Sequence, residues 1–455
     1  MNSLRLPRRD PGEAAFYQTQ LFTGHTGILA SVSPIKPMTQ GIPENGSGQV
    51  QTRMIRIPIE ELTPGMELAA PIPHPRLPHV ALLKTGYRLV PRIIRQLPKY
   101  GVGYVWIRHP GFEFLDERVG QIIPQSRTQV FYQVKKSFTG IADRTAGSFD
   151  LNEYKRVISE LIINLVTEPS NAVWAERLLG DNEDLFAHSA NVAYLAVVLG
   201  MGLRRYIALE RKYVEKAEID DLTNLGIGAM LHDIGKLGMD RDLRQAHEVD
   251  EPEDGDTYRR HPTHGYRALT GHIEATAAAV VLHHHQRFNG QGFPKSRSVH
   301  AERKLATIKG RKIHIFPRIV AVANAVDALM AIGRRNNKPT VVALSVLQSR
   351  AIRSRFDPVV LLAALRCIPP FALGSCVTLS DGRKAVIVDL NRDTPCQPAV
   401  QVVPEGCATN ATTGETVDLA TTTELSVAYD GGCAVSEYLY TLPIRRKRKT
   451  LAVKE

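Results

Sequence analysis

Apolar and polar positions change their period several times along the chain. Ile55-Arg56-Ile57-Pro58-Ile59 alternates in twos, as a strand with one buried face does, and Gly103-Tyr104-Val105-Trp106-Ile107 reads as a closing strand. Between them Thr63-Pro64-Gly65-Met66 predicts a turn, and the stretch from Pro91 to Lys99 a helix. Together these make a small α+β module. From about 125 to 180 the spacing becomes helical: Val157, Ile158, Leu161, Ile162 and Leu165 mark one face, with Asp150 or Asn152 placed to cap it. Helical patterns continue to about 367, where Tyr194, Leu195, Val198 and Leu199 read as a core face. Beyond Pro370 the texture is β: short segments such as Ala385-Val386-Ile387-Val388 and Ala399-Val400-Gln401-Val402-Val403, separated by Gly, Asp, Asn and Thr. The expected fold is mainly α, an all-helical core with a small N-terminal α+β module and a C-terminal β-rich extension. The expected divisions are a flexible segment over 1–50, the module over 51–120, a helical linker over 121–174, the core over 175–368, the extension over 369–440 and a basic tail over 441–455.

Length and charge add little to that outline and exclude some alternatives. A chain of 455 residues exceeds what one core organises. The net charge of +11 favours anionic partners, though part of it sits in Arg445-Arg446-Lys447-Arg448-Lys449, which reads as a solvated tail or as a contact for nucleic acid or lipid headgroups. No early stretch has the form of a signal peptide, and the apolar run from Ile319 to Ile332 is broken by Asn324 and Asp327, so no membrane span is expected. The five cysteines, Cys367, Cys376, Cys396, Cys407 and Cys433, form no CxxC pair and read as reduced thiols of a cytoplasmic protein.

Chemistry concentrates in the middle of the chain. His188, His232, Asp233, His261, His284 and His285 are the donor types that a borderline divalent metal takes. Asp184 stands four residues before His188, so on one helix the two share a face. In Leu231-His232-Asp233-Ile234-Gly235-Lys236 two ligand types interrupt an apolar helical pattern, where an uncompensated carboxylate is costly and a cation would offset it. Gly235 suggests close approach by another segment, and Lys236 a reach to phosphate oxygens. His261-Pro262 fits a helix start. Of His283, His284 and His285, consecutive on a helix, two at most face one site.

The order of these blocks resembles the HD-GYP class of cyclic di-GMP phosphodiesterases over roughly 175 to 368. The residues that carry it are His188 in His-Ser-Ala-Asn-Val-Ala, His-Asp-Ile-Gly-Lys at 232–236, His261-Pro262 with Gly265, His284-His285, Gly292-Phe293-Pro294 and Phe356-Asp357-Pro358-Val359-Val360. The resemblance implies an HD-type metal-binding core holding two or three divalent ions, iron or manganese. His188, His232 and Asp233 would hold one, with Asp233 bridging to a second held by His261, His284 and His285, and Asp184 helping to hold a third. Asp233 and Lys236 would be catalytic, the lysine steadying charge on the phosphate. The implied substrate is cyclic di-GMP, cleaved to the linear dinucleotide or GMP in bacterial signalling. Signalling partners would dock through the N-terminal module, and the protein would be a monomer or homodimer.

The chain departs from that pattern near the implied metals. Val322-Ala323-Asn324 stands where the class has Val-Ala-Asp, so Asn324 offers the first ion a carbonyl oxygen without charge. Gln286 replaces a Glu, Asn289 an Asp and Phe293 a Tyr. The basic segment Gly333-Arg334-Arg335-Asn336-Asn337-Lys338-Pro339 does not align with the class's Arg-Pro-Tyr run, leaving Arg334, Arg335 and Lys338 as candidates for phosphate or guanine contacts. Besides the phosphodiesterase, two readings stay open: a catalytically weak or inactive cyclic di-GMP sensor or scaffold, and an HD-type hydrolase of another nucleotide.

Overall fold

A computed structural model describes residues 54–74, 77–100, 102–109, 111–112, 115, 122–142, 150–167, 185–211, 215, 221–246, 255–297, 305–331, 338–403, 414–422 and 424–442. The expectations for 1–50, Asp184, Arg334, Arg335, Cys407 and the terminal basic run lie outside these residues.

The module opens with β1 (Met54–Pro58), followed by β2 (Ile72–His74) and β3 (Leu77–Leu83), which pair with each other. A short helix α1 (Pro91–Ile94) and a 3-10 turn Leu97–Tyr100 stand where one helix was expected. The chain then returns as β4 (Tyr104–Arg108), antiparallel to β1. Two helices come next, α2 (Ile122–Ala142) and α3 (Leu151–Thr167). The Asp150 side chain caps α3, accepting from the amides of Asn152 and Glu153 at 3.0 and 3.3 Å.

The core is built around α4 (Leu185–Gly202), whose residues are apolar on nearly every face and almost all buried. Among the described residues it is the one helix long and apolar enough to cross a membrane, at mean hydropathy 1.5, but 83% of it is enclosed by the other helices, as expected of a central helix hydrophobic all round. After α5 (Arg204–Glu210) comes α6 (Thr223–Leu231), which packs on α4. The short helices α7 (Arg241–Gln245) and α8 (Gly255–Tyr258) lead to α9 (His261–Leu269), with Pro262 in its first turn, and to α10 (Ala275–His283). A two-stranded hairpin of β5 (Ser296–Arg297) and β6 (Leu305–Ala306) precedes α11 (Ile315–Ala331), which also lies on α4. The helical part closes with α12 (Thr340–Leu347) and α13 (Pro358–Cys367).

The extension is a six-stranded antiparallel sheet in the order β10 (Thr416–Asp418), β9 (Ala399–Val403), β8 (Lys384–Asp389), β7 (Cys376–Leu379), β11 (Val427–Asp430), β12 (Cys433–Ala434). Ala385 to Val388 are all buried, which a strand covered on only one face would not show. Because side chains alternate, Ala385 and Ile387 join a core with Val341 and Val342 of α12, while Val386 and Val388 join one with Ile55, Ile57, Val105 and Ile107 of the module. Backbone bonding seals this second contact: the Arg56 amide donates to Gly374 O at 2.8 Å. Module and extension, separate in the sequence, thus share one core.

Candidate metal centre

Four short segments converge on one carboxylate. His188 comes from α4, His232 and Asp233 from the end of α6, His261 from the first residue of α9, and His284 and His285 from the end of α10, all buried. Their ligand atoms fall into two groups within 4.8 Å: His188, His232 and Asp233 in one, and Asp233, His261, His284 and His285 in the other. Asp233 Oδ2 lies 3.5 Å from both His188 Nε2 and His232 Nε2, and Oδ1 lies 3.1 Å from His261 Nε2 and 3.6 Å from His284 Nε2.

The His-Asp pair does not sit inside a helix as its apolar flanks suggest. The α-helix ends at Leu231, Asp233 has φ −100° and ψ 9°, and Ile234–Gly238 continue as a 3-10 turn. In that tighter winding residues three apart eclipse, so Lys236 stands over Asp233, with Nζ 2.8 Å from Oδ2. Gly235 is required there, since a Cβ would meet the His261 carbonyl oxygen at 2.0 Å. Gly292 serves likewise in the Gly-Phe-Pro loop, where a Cβ would lie 2.3 Å from His285 O. The loop is tied down by Gln286, whose Nε2 donates to Pro294 O at 2.6 Å, and Phe293 stacks on His285 at 4.5 Å between centroids.

The hydrogen bonds on the far sides of the rings fix what they present inward. Nδ1 of His232, His261 and His284 donates to the carbonyls of Ala229, Tyr258 and Val281 at 2.8, 2.7 and 2.9 Å, and His188 Nδ1 bonds Asp327 Oδ2 at 2.7 Å. Each ring therefore turns a lone pair, on Nε2, toward Asp233. His261 Nε2 and His284 Nε2 are 3.1 Å apart, and His232 Nε2 has no hydrogen-bond partner among the described residues. Protonation does not relieve the crowding: burial holds His261 and His284 down at about 4 and His232 well below its usual value. Burial would by itself raise the Asp233 carboxyl. The Lys236 ammonium, 2.8 Å from Oδ2, opposes that effect and holds the group well below the carboxylate range. An enclosed nest of acceptors around an anion fits divalent cations.

The family model described as an HD domain matches residues 191–360. Residues 191–360 are an HD domain. Cyclic di-GMP phosphodiesterase PA4108 of Pseudomonas aeruginosa is 26% identical over 262 residues, 57% of this chain and 57% of that protein. The cyclic di-GMP phosphodiesterase of Thermotoga maritima is 32% identical over 134 residues, 28% of this chain and 33% of that protein. The chain thus spans little more than half of the one relative and a third of the other. These matches bear out the resemblance to the HD-GYP class. A solved structure, Bd1817, a HDG"Y"P protein from Bdellovibrio bacteriovorus, covers 68% of this chain and 97% of its own at 14% identity with a TM-score of 0.40, a likeness too loose to bear on the fold.

Around the HD domain's centre, the remaining sequence candidates fall at different places. Asn324 lines a cavity with His284, His285, Gln286, Arg355 and Phe356, beside the donor cluster. Lys338 is exposed, at the start of the segment before α12. Sequence reasoning assigned no role to Asp327 or Tyr258. Asp327 orients His188. The Tyr258 carbonyl orients His261, while its ring lies 5.9 Å from that of His285 and 5.0 Å from Lys236 Nζ. Asp327 had a signal in its spacing, three residues beyond Asn324 on one helix, whereas a backbone carbonyl carries none.

Proposed function

We propose that this protein is a metal-dependent phosphodiesterase hydrolysing cyclic di-GMP in cytoplasmic second-messenger signalling. The observation that carries the metal is the acceptor-only nest: four imidazoles with inward lone pairs around one ionised carboxylate. In this reading His188, His232, Asp233 and the Asn324 carbonyl hold one ion, and Asp233, His261, His284 and His285 the other, iron or manganese by donor type. Asp184 would serve a third. Bound divalent cations would lower the pKa of a water and offset charge on the phosphodiester. Lys236, held over Asp233 and buried, adds a fixed positive charge where charge builds on the phosphate oxygens. Buried apolar neighbours exclude bulk solvent from these groups. Lys338, with Arg334 and Arg335, is assigned to the substrate's outer contacts. Partner proteins would reach the core through the module and the sheet it packs on.

The substrate comes from the relatives named above as cyclic di-GMP phosphodiesterases. One observation favours the second reading, a sensor that binds without turnover: Asn324 lines the cavity next to His284 and His285 with an amide where the class has a carboxylate. Metal analysis of protein purified without chelator, paired with cyclic di-GMP hydrolysis in Fe(II) or Mn(II), separates the two. The enzyme reading expects bound metal and linear dinucleotide or GMP as product. Replacing His284 and His285 together by Ala should strip most of the metal, and unchanged content in that variant would sink the assignment.

A further inference from the structure

Resting on the reading of cyclic di-GMP as substrate, we propose that Arg355 binds its second phosphate, the one not being cleaved. A cyclic dinucleotide carries two phosphodiesters, each an anion, and the metal ligands with Lys236 answer only one. The cavity beside the metal centre is lined by His284, His285 and Arg287 of the ligand turn, by Asn324 of α11 and by Arg355 of a third segment, and Arg287 already has an interaction of its own. No acidic residue lines it, and Arg355 has no ion pair among the described residues. A half-buried arginine lining a cavity that no carboxylate among the described residues lines is suited to an anion.

The segment that presents Arg355 is fixed from both sides. Its carbonyl accepts from the Phe288 amide at 2.7 Å, and Asn289 Nδ2 donates to Ser354 Oγ at 3.2 Å, which straps it to the turn after His285. Two residues on, buried Asp357 caps α13 through the Val359 amide at 2.8 Å and accepts from Arg318 and Tyr206 at 2.6 and 2.9 Å. Arg318 is held in turn by Glu210. The root of the Arg355 side chain is therefore set relative to both the ligand turn and α11. Preorganisation of this kind lowers the entropy cost of each bond formed with a bidentate anion.

Binding constants of the metal-loaded protein for cyclic di-GMP and for GpG, the linear dinucleotide with a single phosphodiester, test the assignment. Arg355→Ala should weaken cyclic di-GMP on the order of ten- to a hundredfold, leaving GpG affinity and metal content unchanged. Arg355→Lys should recover part of the loss, since it restores the charge without the fork. Equal loss for both ligands, or no loss for either, overturns the assignment. A parent that binds GpG but not cyclic di-GMP overturns the substrate reading and the subsite together, whereas a parent that binds cyclic di-GMP as tightly as Arg355→Ala does overturns the subsite alone.

Discussion

Asp327 Oδ2 lies 2.7 Å from His188 Nδ1, 139 residues away in sequence and buried with it between α4 and α11. The contact decides which nitrogen His188 offers: with Nδ1 engaged, Nε2 is left to face Asp233 at 3.5 Å.

Asp327→Ala should free the ring to rotate and take the other tautomer. Weakening of metal in the His188 group by about ten- to a hundredfold is expected, the usual cost of losing an orienting partner. Competition titration with a chelator reads it, and circular dichroism checks that the helices remain. Undiminished affinity in a folded variant would show that packing alone orients His188.

Asn324 and Gln286 are both amides where the class has carboxylates, yet the structure gives them different work. Asn324 lines the cavity at the metal centre, while Gln286 donates to Pro294 O and so fastens the loop carrying Phe293. Asn324→Asp should therefore tighten metal and raise hydrolysis by one or two orders of magnitude, about 1.4 to 2.8 kcal/mol of barrier. Gln286→Glu should lower activity in either background, because an ionised carboxylate has no proton for that carbonyl and would repel it. Steady-state rates of the two single variants and the double one check both signs. A gain from Gln286→Glu would place that side chain with the ligands instead.

How much of this was legible depends on the range over which each signal acts. Every donor of the nest is visible in sequence because ligation restricts residue type at fixed local spacing, as in His232-Asp233 and His284-His285. The strands of the extension were legible for the same reason, since Ala385 to Val388 are apolar without interruption. What covered their two faces was not, for the partners of Val386 and Val388 lie about 330 residues earlier, at Ile55 and Ile57. The 3-10 turn at Ile234–Gly238 was equally hidden: the run Leu231-His232-Asp233-Ile234 suits either winding, and only the approach of α9 to Gly235 distinguishes them.

That shared core changes what truncation should do. A chain beginning at Gln121, just before α2, uncovers Leu373, Val386 and Val388, each contributing roughly 1.5–3 kcal/mol when fully buried, and leaves the Gly374 carbonyl without the Arg56 amide. We expect a lower melting temperature and aggregation through the exposed sheet face. The donors of the nest belong to a helical core that contains no module residue, so the metal stays. Thermal melts with parallel metal analysis test both halves. Loss of metal from a truncated chain that remains folded would mean that the module completes the site.

The same junction carries an acid-sensitive group, Asp430, at the end of β11. Its carboxyl is buried, and burial pushes it up to about 6 from an ordinary 3.8, against the opposing pull of Arg56. Arg56 is itself engaged elsewhere, its guanidinium donating to Ser375 Oγ at 3.0 Å and lying 3.6 Å from the centre of the Tyr104 ring. Between the two values the native protein holds a proton that the unfolded chain has released. The stabilisation is therefore complete below the unfolded pKa and is lost as pH rises through about 6, a difference of roughly 3 kcal/mol. Asp430→Asn keeps the shape and stays neutral at every pH. Its denaturation midpoint should exceed the parent's at pH 7, match it near pH 4, and fall less steeply between them. Parallel profiles for the two proteins across that window would show that Asp430 is already ionised at pH 4, with Arg56 as its effective partner.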